Sequence, residues 1–174
     1  MKYKKTTLSL AVIASAIIFI NYFSLHRHVA STISSNPAND GIKVVARYQW
    51  LLNPGTIVYD IRSVSGEKSA TDVNRVLFGF AEKLKNREYK KVILSYKGKE
   101  KFQLDGAYFK KVGEEYKTQN PIYLIRKLPE HLYKPDGSKA FKSWEGGWLG
   151  VFSNQMKDYN SFNQQWFIED FLKQ

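Results

Sequence analysis

Hydrophobic and polar positions divide the chain into three textures. From Leu8 to Leu25 the sequence reads LSLAVIASAIIFINYFSL, without a charge and with only Ser9, Ser15, Asn21 and Ser24 as polar interruptions. Eighteen such residues make roughly 27 Å of helix, close to the apolar thickness of a bilayer. Ala30 to Gly41, ASTISSNPANDG, then carries small and turn-forming residues with no periodicity, the mark of a flexible tether. From Ile42 onward periodic patterns return and continue to Gln174. The expected organisation is therefore 1–29 as tip and signal-anchor, 30–41 as tether and 42–174 as one globular domain.

Within that domain, Ile42–Leu52 is rich in β-branched and aromatic residues and is followed by the turn signal Asn53-Pro54-Gly55. Thr56–Val64 alternates, with Ile57, Tyr59 and Ile61 on one side and Val58, Asp60 and Arg62 on the other, so the two runs predict a hairpin. Ser69-Ala70-Thr71-Asp72 has the form of a capping box. Val73, Val76, Leu77, Phe80, Ala81 and Leu84 follow at helical spacing, predicting a helix to about Arg87. Val92–Tyr96 and Phe102–Leu104 flank a short glycine-containing link and predict a second hairpin. Asp105 can cap a helix containing Tyr108, Phe109, Val112 and Tyr116, and Ile122–Ile125 reads as one more strand. Phe152, Met156, Tyr159, Phe162 and Trp166 predict a terminal amphipathic helix. This order implies an α+β fold, a mostly antiparallel sheet with helices packed on it.

Charge adds a candidate partner class. Four of the 27 basic residues and one of the 16 acids precede Ile42, leaving the domain near +8. Eleven cations but only five acids lie between Lys83 and Lys117. Lys90, Lys91, Lys97, Lys99, Lys101, Lys110 and Lys111 fall on a predicted hairpin and helix, where they are expected to share one face. A cationic face attracts anionic lipid, glycan or acidic protein. Nucleic acid is not expected, because no binding motif accompanies the charge. Lys2, Lys4 and Lys5 precede the apolar run and Arg27 alone follows it closely. That bias places the N-terminus inside and the domain outside the bacterial cytoplasmic membrane, in the periplasm or beyond. A retained anchor is favoured over a cleaved signal, since cleavage after Ala16 would leave Ile17-Ile18-Phe19-Ile20 in place.

Candidate chemistry is sparse. The chain has no cysteine, and His131 is the one histidine beyond the anchor region. It sits beside Glu130 in a proline-bounded stretch, so a hydrolase using Glu130, His131 or Glu145 is the alternative reading. Gly146-Gly147-Trp148-Leu149-Gly150 lacks the lysine of a phosphate loop. It reads as a tight loop that could present Trp144 and Trp148 as binding residues. Neither metal nor cofactor is expected: His26 and His28 are two potential ligands without a third. Asn21, polar within the apolar run, is expected to hydrogen-bond to a neighbouring helix of a membrane complex.

Thr118-Gln119-Asn120-Pro121-Ile122-Tyr123, Leu128-Pro129-Glu130-His131-Leu132-Tyr133, Pro135-Asp136-Gly137 and the glycine-tryptophan loop together resemble an uncharacterised family of small bacterial membrane-anchored proteins. The resemblance covers about the last third of the domain and implies a tethered envelope protein; it implies no activity. The expected function is thus an extracytoplasmic accessory or binding domain that engages anionic envelope components or a membrane-protein partner.

Overall fold

The computed structural model describes residues 2–173, with side chains described for Ser9 and from Ala11 onward. Five strands form one mixed sheet in sequential order: β1 (Ile42–Gln49), β2 (Asn53–Val64), β3 (Lys91–Tyr96), β4 (Lys99–Asp105) and β5 (Leu132–Tyr133). Helix α3 (Ala70–Leu84) crosses over between β2 and β3, which makes that pair parallel; the other three pairings are antiparallel. The fold is α+β, and its sheet is antiparallel in all but this one pairing.

One face of the sheet makes the core. Ile57, Tyr59 and Ile61 of β2, Val92, Leu94 and Tyr96 of β3, and Phe102 and Leu104 of β4 pack under the helices. The period-two alternation puts Arg47, Val58, Asp60, Ile93, Ser95 and Glu100 on the opposite face, outside the main core, where Val58, Asp60, Ile93 and Ser95 are nonetheless buried. The capping box of α3 forms in full, with Ser69 accepting from Asp72 N–H and the Asp72 carboxylate accepting from Ser69 N–H. Asp105 caps α4 (Gly106–Glu115) through Tyr108 N–H. The terminal helix α6 (Trp148–Asn163) continues through a π-helical turn, Gln164–Ile168, into the short α7 (Glu169–Leu172). Asn74 of α3 donates to Asn163 Oδ1 at 2.7 Å and to the Tyr159 hydroxyl at 3.2 Å, fastening α6 over the core. Trp166 is fully buried against Tyr59 and Phe162.

Three expectations require correction. Ile122–Ile125 lies in helix α5 (Pro121–Lys127), because Asn120 accepts from Ile122 N–H and Pro121 supplies a preset first helical residue. The first hairpin does not turn at Asn53-Pro54-Gly55. Gln49 pairs with Asn53, so the turn is Trp50-Leu51-Leu52 and the expected turn residues open β2.

The third correction concerns the tether. Helix α1 (Lys2–Asn21) passes through a π-helical turn, Tyr22–His26, into α2 (Arg27–Ser34), so 2–34 form one continuous helix. Its second half belongs to the domain. Leu25 and Val29 are fully buried in the core, worth about 1.5–3 kcal/mol each. Gly79 of α3 lets α2 approach so closely that a Cβ there would sit 2.6 Å from Thr32 Cγ2. The next residues, 35–41, are also fixed: Asn39 donates to the Thr32 carbonyl, and Arg75 donates to Asn39 Oδ1 and to the Ala38 carbonyl. The helical half shows why composition misled. Val29, Thr32 and Ile33 recur at three- and four-residue spacing, which is enough for one buried stripe.

Candidate functional site

The N-terminal helix leaves the domain at Asn21, and that junction is built in detail. Asn21 is buried and its side chain spans three backbone groups. Its amide donates to the carbonyls of Ile17 and Leu51, both at 2.9 Å, while its Oδ1 accepts from Tyr48 N–H at 2.8 Å. The partner of this polar residue is thus the β1–β2 hairpin of the same chain. Arg87, just beyond α3, donates to the Ser24 carbonyl at 3.1 Å and fixes the helix from the other side.

The hairpin turn that Asn21 holds is unusual. Leu52 N–H donates to the Gln49 carbonyl around Trp50 and Leu51, whose φ values are 55° and 62°. Two consecutive positive-φ residues in a hairpin turn ordinarily call for Asn-Gly. Here they are a tryptophan and a leucine, and non-glycine residues at positive φ carry about 1–3 kcal/mol of strain each. The turn nevertheless projects apolar side chains: Trp50 is 79% and Leu52 69% exposed. Tyr22 and Phe23 are exposed on the adjoining helix turn. These residues escaped the sequence reading, although Trp50-Leu51-Leu52, three consecutive apolar residues that break the alternation of β1, were the available signal.

The expected lysine face is divided. Lys90 and Lys91 lie where β3 begins, at the sheet end from which the helix departs, and the Lys90 side chain runs alongside Gly55. Lys110 stands on the first turns of α4 at that end and pairs with Glu88 at 2.9 Å, with Lys111 beside it. Lys97 and Lys99 flank the turn at the other end of β3, about 17 Å away by strand rise. Lys101 is pinned there by Asp170 at 2.7 Å. The strand separates the two groups because Lys91 opens a six-residue strand and Lys97 follows its last residue. Asp60 and Arg62 form an ion pair at 2.5 Å, and buried Asp60 also accepts from Gly98 N–H, closing the second hairpin.

The tryptophan loop and the histidine do not assemble one centre. Trp144 donates to Asp158 Oδ2 at 2.7 Å and lies under Lys142. Trp148 opens α6, 72% exposed, with its ring against Phe152. His131 stacks on Tyr108 at 3.7 Å in a small cleft shared with Lys111, Tyr123, Lys127 and Glu130. Burial and nearby Lys139 hold its imidazole below the usual histidine range. Burial likewise pushes the Tyr108 phenol up. Glu130 is engaged by Lys127 and by Gln155, and Glu145 is exposed outside this cleft.

No protein-family model, curated protein or solved structure matches this chain. The functional reading therefore rests on the helix, the junction and the charges around it.

Proposed function

We propose that the chain is a single-pass, membrane-tethered accessory or binding domain, of bacterial origin, held on the outer side of the cytoplasmic membrane. The observation that carries this reading is the free half of the N-terminal helix. Val12, Ile13, Ile18, Phe19 and Ile20 are more than half exposed on a helix that departs from the domain. By length and composition residues 11–34 qualify as a membrane-crossing helix, although the part from Asn21 onward is docked on the domain. An apolar surface of this kind is favourable in lipid and costly in water. Lys2, Lys4 and Lys5 on the far side of the run support an inward N-terminus, because the positive-inside bias counts residues close in sequence to the span.

The domain would then meet the membrane with its helix-exit end, where Arg87, Lys90, Lys91, Lys110 and Lys111 lie. These cations would attract anionic lipid headgroups. Alkaline carbonate extraction of membranes containing the full chain provides the test. Retention in the pellet, with release by detergent, is expected; release by carbonate alone overturns the reading. A phosphatase fused after Gln174 tests orientation, and it is expected to be active only where the fusion is exported.

A further inference from the structure

The junction shortens the anchor. Leu25 is fully buried in the domain core, and Asn21 is buried and bonded to the hairpin. The charge-free, mostly apolar stretch left outside the domain is Leu8 to Ile20, 13 residues, or about 20 Å of helix. A typical hydrocarbon core is about 30 Å thick. A span that is too short is accommodated by snorkelling of flanking side chains, by local thinning, or by drawing adjacent apolar groups into the bilayer. Lys2, Lys4 and Lys5 suit the first at the N-terminal side. At the other side the helix cannot slide deeper without taking the hairpin with it, because Asn21 bonds both Tyr48 and Leu51.

What lies there is apolar at the tip and cationic behind it. Trp50, Leu51 and Leu52 project from the turn, Tyr22 and Phe23 from the adjoining helix, and Lys90 follows at the sheet end. Tryptophan and tyrosine favour the headgroup level of a bilayer, where ring and polar edge are both accommodated. A strained turn that places tryptophan and leucine at positive φ, where asparagine and glycine fit best, keeps these side chains outward at a cost to the domain. Resting on the membrane-tethered reading, we infer that the β1–β2 turn is an interfacial wedge. Trp50, Leu51 and Leu52 seat in the same phospholipid bilayer that the N-terminal helix enters, with Tyr22 and Phe23 completing the span. The domain is thereby oriented with its helix-exit end against the lipid and the Lys97–Lys101 end away from it. The second sheet face then stands upright, with Trp50 at its base.

The absence of native cysteine allows single labels on the full chain. Leu52→Cys, Ile18→Cys and Lys99→Cys would each carry an environment-sensitive fluorophore in liposomes containing anionic phospholipid. Lipids spin-labelled at a shallow or a deep acyl position act as quenchers. The Leu52 label is expected to shift to the blue and lose emission to the shallow quencher. The Ile18 label should lose emission to the deep one, and the Lys99 label should respond to neither. Quenching at Ile18 without quenching at Leu52 overturns the wedge and leaves the tethered reading intact. No quenching at Ile18 overturns both. Equal quenching at Leu52 and Lys99 overturns the orientation.

Discussion

Asn21 closes the end of the first hairpin onto the N-terminal helix, accepting from Tyr48 N–H while donating to the Leu51 carbonyl. A single buried amide thus joins the helix that leaves the domain to the turn beside it. Asn21→Ala would leave a strand-end N–H and a turn carbonyl without this partner, at about 1–3 kcal/mol. The full chain in detergent should show a correspondingly lower Tm. Spin labels on the helix and on β1 should report greater relative motion. An unchanged Tm together with unchanged motion would mean that Asn21 does not carry the junction.

The turn itself allows a test with opposite signs for stability and association. Replacing Trp50-Leu51 by Asn-Gly puts residues suited to positive φ where the chain already has it. The gain should be about 1–2 kcal/mol in denaturant unfolding. The same substitution removes two of the apolar side chains of the turn, so salt-resistant association with liposomes should weaken. A variant that is both more stable and equally bound would separate the strain from membrane contact.

Much of the fold follows from patterns that are local. The capping box at Ser69, the alternation of Thr56–Val64, the lysine-glycine link after Tyr96 and the spacing of Phe152 to Trp166 each specify their element through neighbours in sequence. Asn120-Pro121 was equally local, but its helix start was masked by Ile122–Ile125, a short apolar run that fits strand or buried helix alike. The docking of α2 was harder to see. Thr32, Asn39 and Arg75 satisfy one another across the fold, and apart from the short Val29, Thr32, Ile33 stripe the polar stretch from Ala30 to Gly41 does not signal a partner so distant. The candidate site suffered from the same limit. Seven lysines close in sequence look like one face until a strand separates Lys91 from Lys97.

The contact between α2 and α3 can be tested by the sign of one substitution. An alanine is worth about 1 kcal/mol more than glycine inside a helix when nothing opposes it. If residues 27–34 were a loose tether, Gly79→Ala would therefore stabilise α3. The docked helix opposes it, because the new methyl would lie 2.6 Å from Thr32 Cγ2, and a β-branched side chain has little freedom to move aside. Overpacking of this kind costs about 1–3 kcal/mol. Gly79→Ala should lower Tm, and adding Thr32→Ser, which removes that methyl, should recover part of the loss.

His131 provides a dependence on pH with a defined sign. Its imidazole is half-buried against Tyr108, and burial, then Lys139, disfavour the protonated form relative to a free histidine at 6.5. Between the lowered folded value and 6.5 the unfolded chain therefore binds more protons than the folded one, and stability rises with pH in that window. The contribution of His131 is fully present above the unfolded value and is lost as pH falls through the folded value. His131→Phe retains an aromatic ring beside Tyr108 but cannot titrate. Subtracting the Tm–pH curve of this variant from that of the parent cancels the other histidines and the carboxylates. The difference should be flat above about pH 7 and should turn against the parent on acidification. A difference that instead favoured the parent at low pH would mean that the imidazole is stabilised in its charged form. The cleft with Glu130 would then act as a proton-binding site rather than as packing for α4.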